Sequence, residues 1–182
     1  MGSRPATAGE IQLGGELISR ALGLVVTTLL IACGGPEASP ARRPVAAVAD
    51  LEIHDAYAPA PAAPDVGSLY FTVINSGSAP DTLVAIATSA GGSALLHDMI
   101  QEAGSMRMHP TGPMPIAEHD SLRLEPGGYH VMLSDLSHRP LVGDTMRVVL
   151  TFARAGAIEF DVPVLTYTDV VRLLERPGGS QN

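Results

Sequence analysis

Histidine and methionine are concentrated in one stretch of the 182-residue chain, residues 97–132, which holds five of the seven methionines and four of the six histidines. The stretch contains a spaced set: His97, then ten residues, Met108, then twenty-one residues, His130, then one residue, Met132. Imidazole nitrogen binds many metals, but the methionine thioether is a soft, weak donor that competes well only for a soft ion such as Cu(I). The four residues therefore predict a Cu(I) site.

Other metal centres fit this donor set less well. Zinc sites use cysteine, histidine and carboxylate ligands, and calcium or magnesium sites use oxygen ligands. A blue-copper centre needs a thiolate beside two histidines, but the only cysteine, Cys33, is far from the stretch in sequence. The pattern therefore indicates copper binding without an electron-transfer centre.

The strand geometry expected around His130 agrees with a shared site. Side chains two residues apart on a β-strand point to the same face of the sheet. His130 and Met132 are then expected to project together, while Val131 and Leu133 turn into a hydrophobic core.

Residues close to the four candidate ligands leave alternatives open. Met99 follows His97 by two residues and is a candidate auxiliary ligand. Asp98 either orients an imidazole through a hydrogen bond or faces water. His109 and His119 either lie in exposed loops or bind a second metal ion, Cu(II).

Three further methionines are interpreted as structural. Methionine is a flexible apolar side chain that fills irregular gaps in protein cores. We therefore expect Met106, Met114 and Met146 to pack in the interior and to have no role in metal binding.

The spaced set resembles the motif of the periplasmic copper chaperone family PCuAC, which is His, ten residues, Met, twenty-one residues, His, one residue, Met. The motif is complete in this chain. The resemblance extends over about residues 50–165. Similar flanking segments are Asp55–Ala58, Leu69–Asn75 with Gly77, and Pro126–Leu133.

The resemblance implies a cupredoxin-like, Greek-key β-sandwich that holds Cu(I) at an exposed edge. It further implies a metallochaperone that passes copper to the copper site of a respiratory oxidase subunit. We expect delivery by ligand exchange, to that subunit or to another metallochaperone, and no enzymatic activity. Two other functions stay open. One is a copper-buffering lipoprotein for resistance, and the other is a lipoprotein interaction module that binds no metal.

The pattern of strands and turns independently predicts an all-β domain over residues 51–166. Short runs of alternating, β-branched and aromatic residues are separated by glycine, proline and asparagine. Residues 113–115 are expected to form a loop, and residues 167–182 a C-terminal tail with a short helical turn. The predicted strands and ligand segments are residues 51–57, 68–75, 81–88, 94–99, 105–110, 121–124, 129–133, 145–152 and 157–164.

The N-terminal residues 1–32 have the features of a lipoprotein signal peptide. Ala21–Ala32 is a largely apolar run of twelve residues, too short for an ordinary transmembrane helix. Leu30–Cys33 resembles a lipobox, which implies cleavage before Cys33 and attachment of lipid to its sulfur. Residues 33–50, rich in proline and alanine, are predicted to be a flexible linker. The expected location is the periplasmic side of the cell envelope, at either the inner or the outer membrane.

Composition and motif content argue against two classes of function. The net charge of −8 and the isoelectric point of about 5.1 argue against nucleic-acid binding, which needs a basic surface. The sequence has no CxxC pair, no HExxH motif and no phosphate-binding glycine loop, so no common catalytic motif supports an enzyme.

Overall fold

A computed structural model describes residues 43–102 and 104–175, which belong to one compact unit spanning Pro40–Asn182. The predicted signal peptide, Cys33 and most of the predicted linker lie outside the described residues. The described residues form eleven strands and one helix. Their bounds are β1 Ala46–Val48, β2 Leu51–Pro59, β3 Val66–Asn75, β4 Asp81–Thr88, β5 Ser93–Glu102, β6 Ser105–Pro110, β7 Met114–Ile116, β8 Ser121–Leu124, β9 His130–Ser134, β10 Thr145–Phe152, β11 Gly156–Leu165 and α1 Tyr167–Leu174.

The strands join in the order β6-β5-β9-β3-β2-β11-β10-β4-β7, while β1 pairs with β2 and β8 with β3. The pairings are antiparallel except the short contact between β2 and β11, which is parallel. β3 is long enough to pair with β9 through residues 66–69 and with β8 through residues 71–74. The prediction of an all-β fold is confirmed.

The core is built from every second residue along the strands, because these residues face inward. On β3, Leu69, Phe71 and Val73 are at most 1% exposed, whereas the residues between them are only partly buried. The ring of Phe71 contacts that of Phe160 on β11 edge to face, with centroids 6.3 Å apart. Full burial of such a side chain contributes about 1.5–3 kcal/mol, so this alternation fixes which face of each strand remains outside.

Regular structure extends beyond the predicted domain, residues 51–166, at both ends, although a short helical turn is expected in the C-terminal tail. β1 lies inside the segment predicted to be a flexible linker, because residues 46–48 pair in register with residues 51–53 of β2. At the other end, α1 occupies the first part of the predicted tail. Its N-cap, Thr166, accepts a hydrogen bond from the backbone N–H of Asp169, and Val170 is buried. No helix in residues 43–102 or 104–175 is long and apolar enough to cross a membrane.

The predicted loop at residues 113–115 is partly wrong. Met114–Ile116 forms β7, which pairs with residues 81–83 of β4 at one edge of the sheet. Pro115 is exposed at this edge, where a missing backbone N–H is tolerated. Sequence reasoning treated the proline as a breaker, but an edge strand accommodates it.

Asp81 is a buried carboxylate that ties the start of β4 to the turn between β10 and β11. The residue is 7% exposed. Its Oδ1 accepts hydrogen bonds from the backbone N–H of Thr82 at 2.7 Å and of Arg154 at 2.9 Å, and its Oδ2 accepts one from Ala155 at 2.8 Å. Burial by itself raises the pKa of Asp81, but these backbone hydrogen bonds and the charge of Arg154 outweigh it and lower the pKa below its ordinary value.

Replacing Asp81 by alanine is expected to lower the free energy of unfolding by about 2–4 kcal/mol, because backbone donors lose a charged acceptor. The lowered pKa means that this stabilisation is complete above the ordinary aspartate pKa, about 3.9, and is lost as the pH falls through the lowered value. Urea unfolding at several pH values measures both effects. Asp81→Asn should flatten the acid-side dependence, and an unchanged acid slope in that variant contradicts the assignment.

Candidate metal centre

The four candidate ligands lie on three adjacent strands at the β6 end of the sheet. In the antiparallel pairing of β5 with β9, His97 is directly opposite His130. Met132 is opposite Leu95 in the same pairing, and Met108 on β6 is opposite Met99 on β5. Met108 and Met132 are therefore both diagonal neighbours of His97, one on each of the two strands that flank β5.

All four side chains point to the outer face of these strands. On β9, Val131 and Leu133 are 0% and 2% exposed and face the core, so His130 and Met132 face the other way. Because cross-strand partners share a face, His97 and Met108 are on the outer face too. The predicted orientation of the His130 strand is confirmed.

The two imidazole rings are stacked, with centroids 5.8 Å apart and an interplanar angle of 23°. Nδ1 of His130 lies 3.0 Å from the carbonyl oxygen of Gly128, and Nδ1 of His97 lies 3.3 Å from that of Leu95. A carbonyl oxygen can only accept a hydrogen bond, so these contacts place the ring hydrogen on Nδ1. Each Nε2 then keeps a lone pair for a metal ion.

The site is buried at one end and open at the other. His130 is 6% exposed, whereas Met108 is 54% exposed. His97 and Met132 are half-buried between these extremes. An ion held here rests on a fixed imidazole and remains accessible from the side of Met108.

Gly92 lies directly before the β5–β9 ladder that aligns the histidines. Its φ is +71°, a conformation that side-chain-bearing residues rarely adopt. A Cβ atom at this position would overlap the carbonyl oxygen of Ser134 and lie 2.5 Å from that of Asp135. The first β5–β9 pair, Ser93 with Ser134, follows immediately.

Asp98 does not orient the imidazole of His97. Neighbouring residues on a strand face opposite sides, and Asp98 is paired with His109 on the face away from the candidate ligands. The partners of the imidazoles are instead backbone carbonyl groups. Sequence reasoning missed them because a carbonyl partner carries no residue-type signal.

The expectation of a second, Cu(II) site finds no support. His109 faces away from the His97 side, and its Nε2 lies 3.2 Å from Oε1 of Glu102 without hydrogen-bond geometry. His119 is exposed in the loop after β7, with a φ of +56°. In the part of the chain that the structure describes, no group of three or more histidine, cysteine, aspartate or glutamate residues could hold a metal.

The structural interpretation of the remaining methionines holds for two of the three. Met146 is 2% exposed, and Met114 is a partly buried residue packed against the core. Met106 is 53% exposed, so the expectation that it fills the core is wrong. Its strand, β6, is at the edge of the sheet, and its face carries no covering layer of described residues.

A groove of about 1000 Å³ opens at a different part of the domain, between residues 43–45, β2, β3, β8, β11 and α1. Its lining includes Tyr57 and His54 but none of the candidate ligands. Burial raises the pKa of Tyr57, and Nε2 of His54 contacts Glu52 at 2.9 Å. The four candidate ligands therefore lie on a separate face of the sheet, outside this groove.

Comparison with known proteins gives a family and a set of structural neighbours. The family model named LpqE-like, described as a lipoprotein family, matches residues 51–164, more than half of the chain. A comparison with curated protein sequences finds no match.

Among solved structures, the copper-bound PCuAC domain of PmoF2 is 26% identical, with a TM-score of 0.57, and the match covers 66% of this chain and 97% of that domain. The apo PCuAC domain of PmoF1 is 27% identical, with a TM-score of 0.57 and coverages of 66% and 98%. The resemblance to PCuAC domains inferred from the sequence is thus confirmed, together with the cupredoxin-like fold that it implies. The chain belongs to the LpqE-like family.

Proposed function

We propose that this protein is a copper metallochaperone that binds one Cu(I) ion through His97, Met108, His130 and Met132. The observation that carries the proposal is the alignment of the two histidines across β5 and β9, with both methionines on the same outer face. Two imidazoles and two thioethers form a neutral, soft donor set that favours Cu(I) over zinc or Cu(II). The similarity to a copper-bound PCuAC domain supports the same metal.

The exposure gradient of the site supports transfer over storage. An acceptor can approach Met108, which is half exposed, while the buried His130 still holds the ion. In each exchange one bond from Cu(I) to a donor ligand breaks as one bond to an acceptor ligand forms. Copper stays in the +1 state, and neither a proton nor an electron is transferred.

The proposed setting is the cell envelope. The described domain follows a segment whose sequence resembles a lipoprotein leader ending at Cys33, and the family is described as a lipoprotein family. Lipid on Cys33 would anchor the domain to a membrane on its periplasmic side. The proposed acceptor is the copper site of a respiratory oxidase subunit.

The double substitution Met108→Leu plus Met132→Leu tests the ligand set. It removes both thioethers and preserves apolar volume, so Cu(I) affinity should fall roughly 100-fold. Substituting a residue that only hydrogen-bonds to a metal ligand already costs roughly 10- to 100-fold in metal affinity, and loss of the ligands themselves should cost at least as much. An anaerobic competition titration against a chromophoric Cu(I) chelator measures the affinity. Met114→Leu, the same change at the opposite edge of the sheet, should leave it unaltered. Unchanged Cu(I) affinity in the double variant would show that the assignment is wrong.

A transfer assay separates delivery from buffering. The Cu(I)-loaded protein is mixed with an apo copper-site domain of an oxidase, and the absorption spectrum of the copper-loaded acceptor is followed. Delivery predicts that the spectrum develops and that the chaperone loses its ion. Buffering predicts that the ion stays bound, and an interaction module without metal function predicts no Cu(I) binding at the start.

A further inference from the structure

We propose that Met99, Met106 and Met108, here called the methionine trio, form a second Cu(I) position on the β5–β6 hairpin, bound only by thioethers. Its suggested role, as the point through which the ion passes between the histidine pair and an acceptor, rests on the proposed function. Its capacity to bind Cu(I) does not, and it can be tested separately.

The register of the hairpin places the three methionines as neighbours on one face. Met99 and Met108 are direct cross-strand partners, and Gln101 is the partner of Met106. Direct partners have Cβ atoms about 4.5–5.5 Å apart and diagonal neighbours about 7–8 Å apart. Methionine has three rotatable side-chain bonds, so three sulfurs on such a triangle can converge.

Exposure shows that the trio does not serve the core. Met106 and Met108 are 53% and 54% exposed, and Met99 is half-buried. A single exposed apolar residue is ordinary on a protein surface. Three adjacent residues with the same soft donor, on the same face and beside a predicted Cu(I) site, form a chemically specific group.

The two faces of the hairpin separate charge from sulfur. On the face opposite the trio, Arg107 Nε lies 3.7 Å from Glu102 Oε2, and His109 Nε2 lies 3.2 Å from Glu102 Oε1. The residues of the trio's face carry no formal charge when histidine is neutral. They are Leu95, His97, Met99, Gln101, Met106, Met108 and Pro110.

This separation determines which ion the trio can take. Zn²⁺ and Cu²⁺ favour nitrogen, oxygen or thiolate ligands, whereas neutral thioethers suit Cu(I). No carboxylate of the described hairpin lies on the trio's face. The trio is therefore expected to bind Cu(I) weakly and divalent ions such as Zn²⁺ and Cu²⁺ hardly at all.

Met108 belongs to both positions and connects them. As the ion moves outward, its bonds to His97, His130 and Met132 break while bonds to Met99 and Met106 form, and the bond to Met108 is retained. Copper remains Cu(I), and the neutral imidazoles leave without a proton. The ion then lies towards the tip of the hairpin, more exposed than at His130.

Removing the histidine pair isolates the trio for measurement. In the full chain, His97→Ala plus His130→Ala should still bind one Cu(I), at least about 100-fold more weakly than the wild type, and copper X-ray absorption should show sulfur ligands only. Adding Met99→Leu and Met106→Leu should abolish this binding, whereas adding Met114→Leu should preserve it. The proposal is overturned if the double-histidine variant binds no Cu(I), if nitrogen or oxygen ligands appear, or if binding survives the leucine substitutions.

The transfer role has its own test. Met106→Leu, with all four principal ligands and the candidate auxiliary ligand Met99 intact, should retain the wild-type Cu(I) affinity within about 2-fold but slow transfer to the acceptor about 10-fold, equivalent to 1.4 kcal/mol in the barrier. An unchanged transfer rate overturns the role.

If wild-type protein binds no Cu(I), the proposed function itself fails. If only the double-histidine variant lacks binding, the trio alone fails.

Discussion

Replacing His130 by alanine should weaken Cu(I) binding by roughly 100-fold or more, about 2.8 kcal/mol. Three features make this residue the most important of the four. His130 is the most buried, at 6% exposed. Its Nδ1 contact with the Gly128 carbonyl fixes the ring and leaves Nε2 available. It is also directly opposite His97, so its loss leaves one imidazole where two are expected to share the ion.

The measurement is the anaerobic chelator competition, with far-UV circular dichroism to verify folding. His119→Ala is the matched control, since His119 is an exposed loop residue apart from the site. The Cu(I) affinity of this variant should equal that of the wild type. A His130→Ala variant that is folded and retains wild-type affinity would remove His130 from the ligand set. Equal losses of Cu(I) affinity in His130→Ala and His119→Ala would indicate a general effect of removing a histidine.

The strands and the residue set of the candidate site were largely predictable from the sequence. The alternation around Val131 and Leu133 correctly placed these residues in the core and His130 with Met132 outside. This worked because one face of β9 is fully buried, which specifies the strand's orientation strongly. That the four residues bind copper remains a prediction.

The features that the sequence did not reveal depend on contacts between distant segments. Methionine has the same sequence pattern on a buried strand and on an edge strand, so only the sheet order distinguishes exposed Met106 from buried Met146. The role of Asp81 required the turn at residues 153–155 to be brought beside it. The carbonyl partners of the histidines likewise follow from the local path of the backbone, not from residue type.

The position of Gly92 makes it a strong test of how the fold creates the site. Gly92→Ala should lower the free energy of unfolding by about 3 kcal/mol, because alanine is strained at positive φ and its Cβ would overlap backbone atoms that cannot move independently. Relief of the overlap must displace the start of β5 from the end of β9. The effect therefore reaches the pairing of His97 with His130, four residue pairs along the same ladder.

The matched control is Gly143→Ala, since Gly143 has a φ of +91° but nothing within 4 Å of the position of its Cβ. Both variants have the positive-φ strain, but only Gly92→Ala has the overlap with Ser134 and Asp135. Urea unfolding should therefore show a larger loss for Gly92→Ala, and Cu(I) affinity should fall in that variant alone. If the two variants lose equal stability, the close approach of β5 to β9 is not what Gly92 provides. If Gly92→Ala is destabilised but keeps full Cu(I) affinity, the histidine alignment does not depend on this end of the ladder, and the remaining pairs of β5 with β9 are sufficient to maintain it.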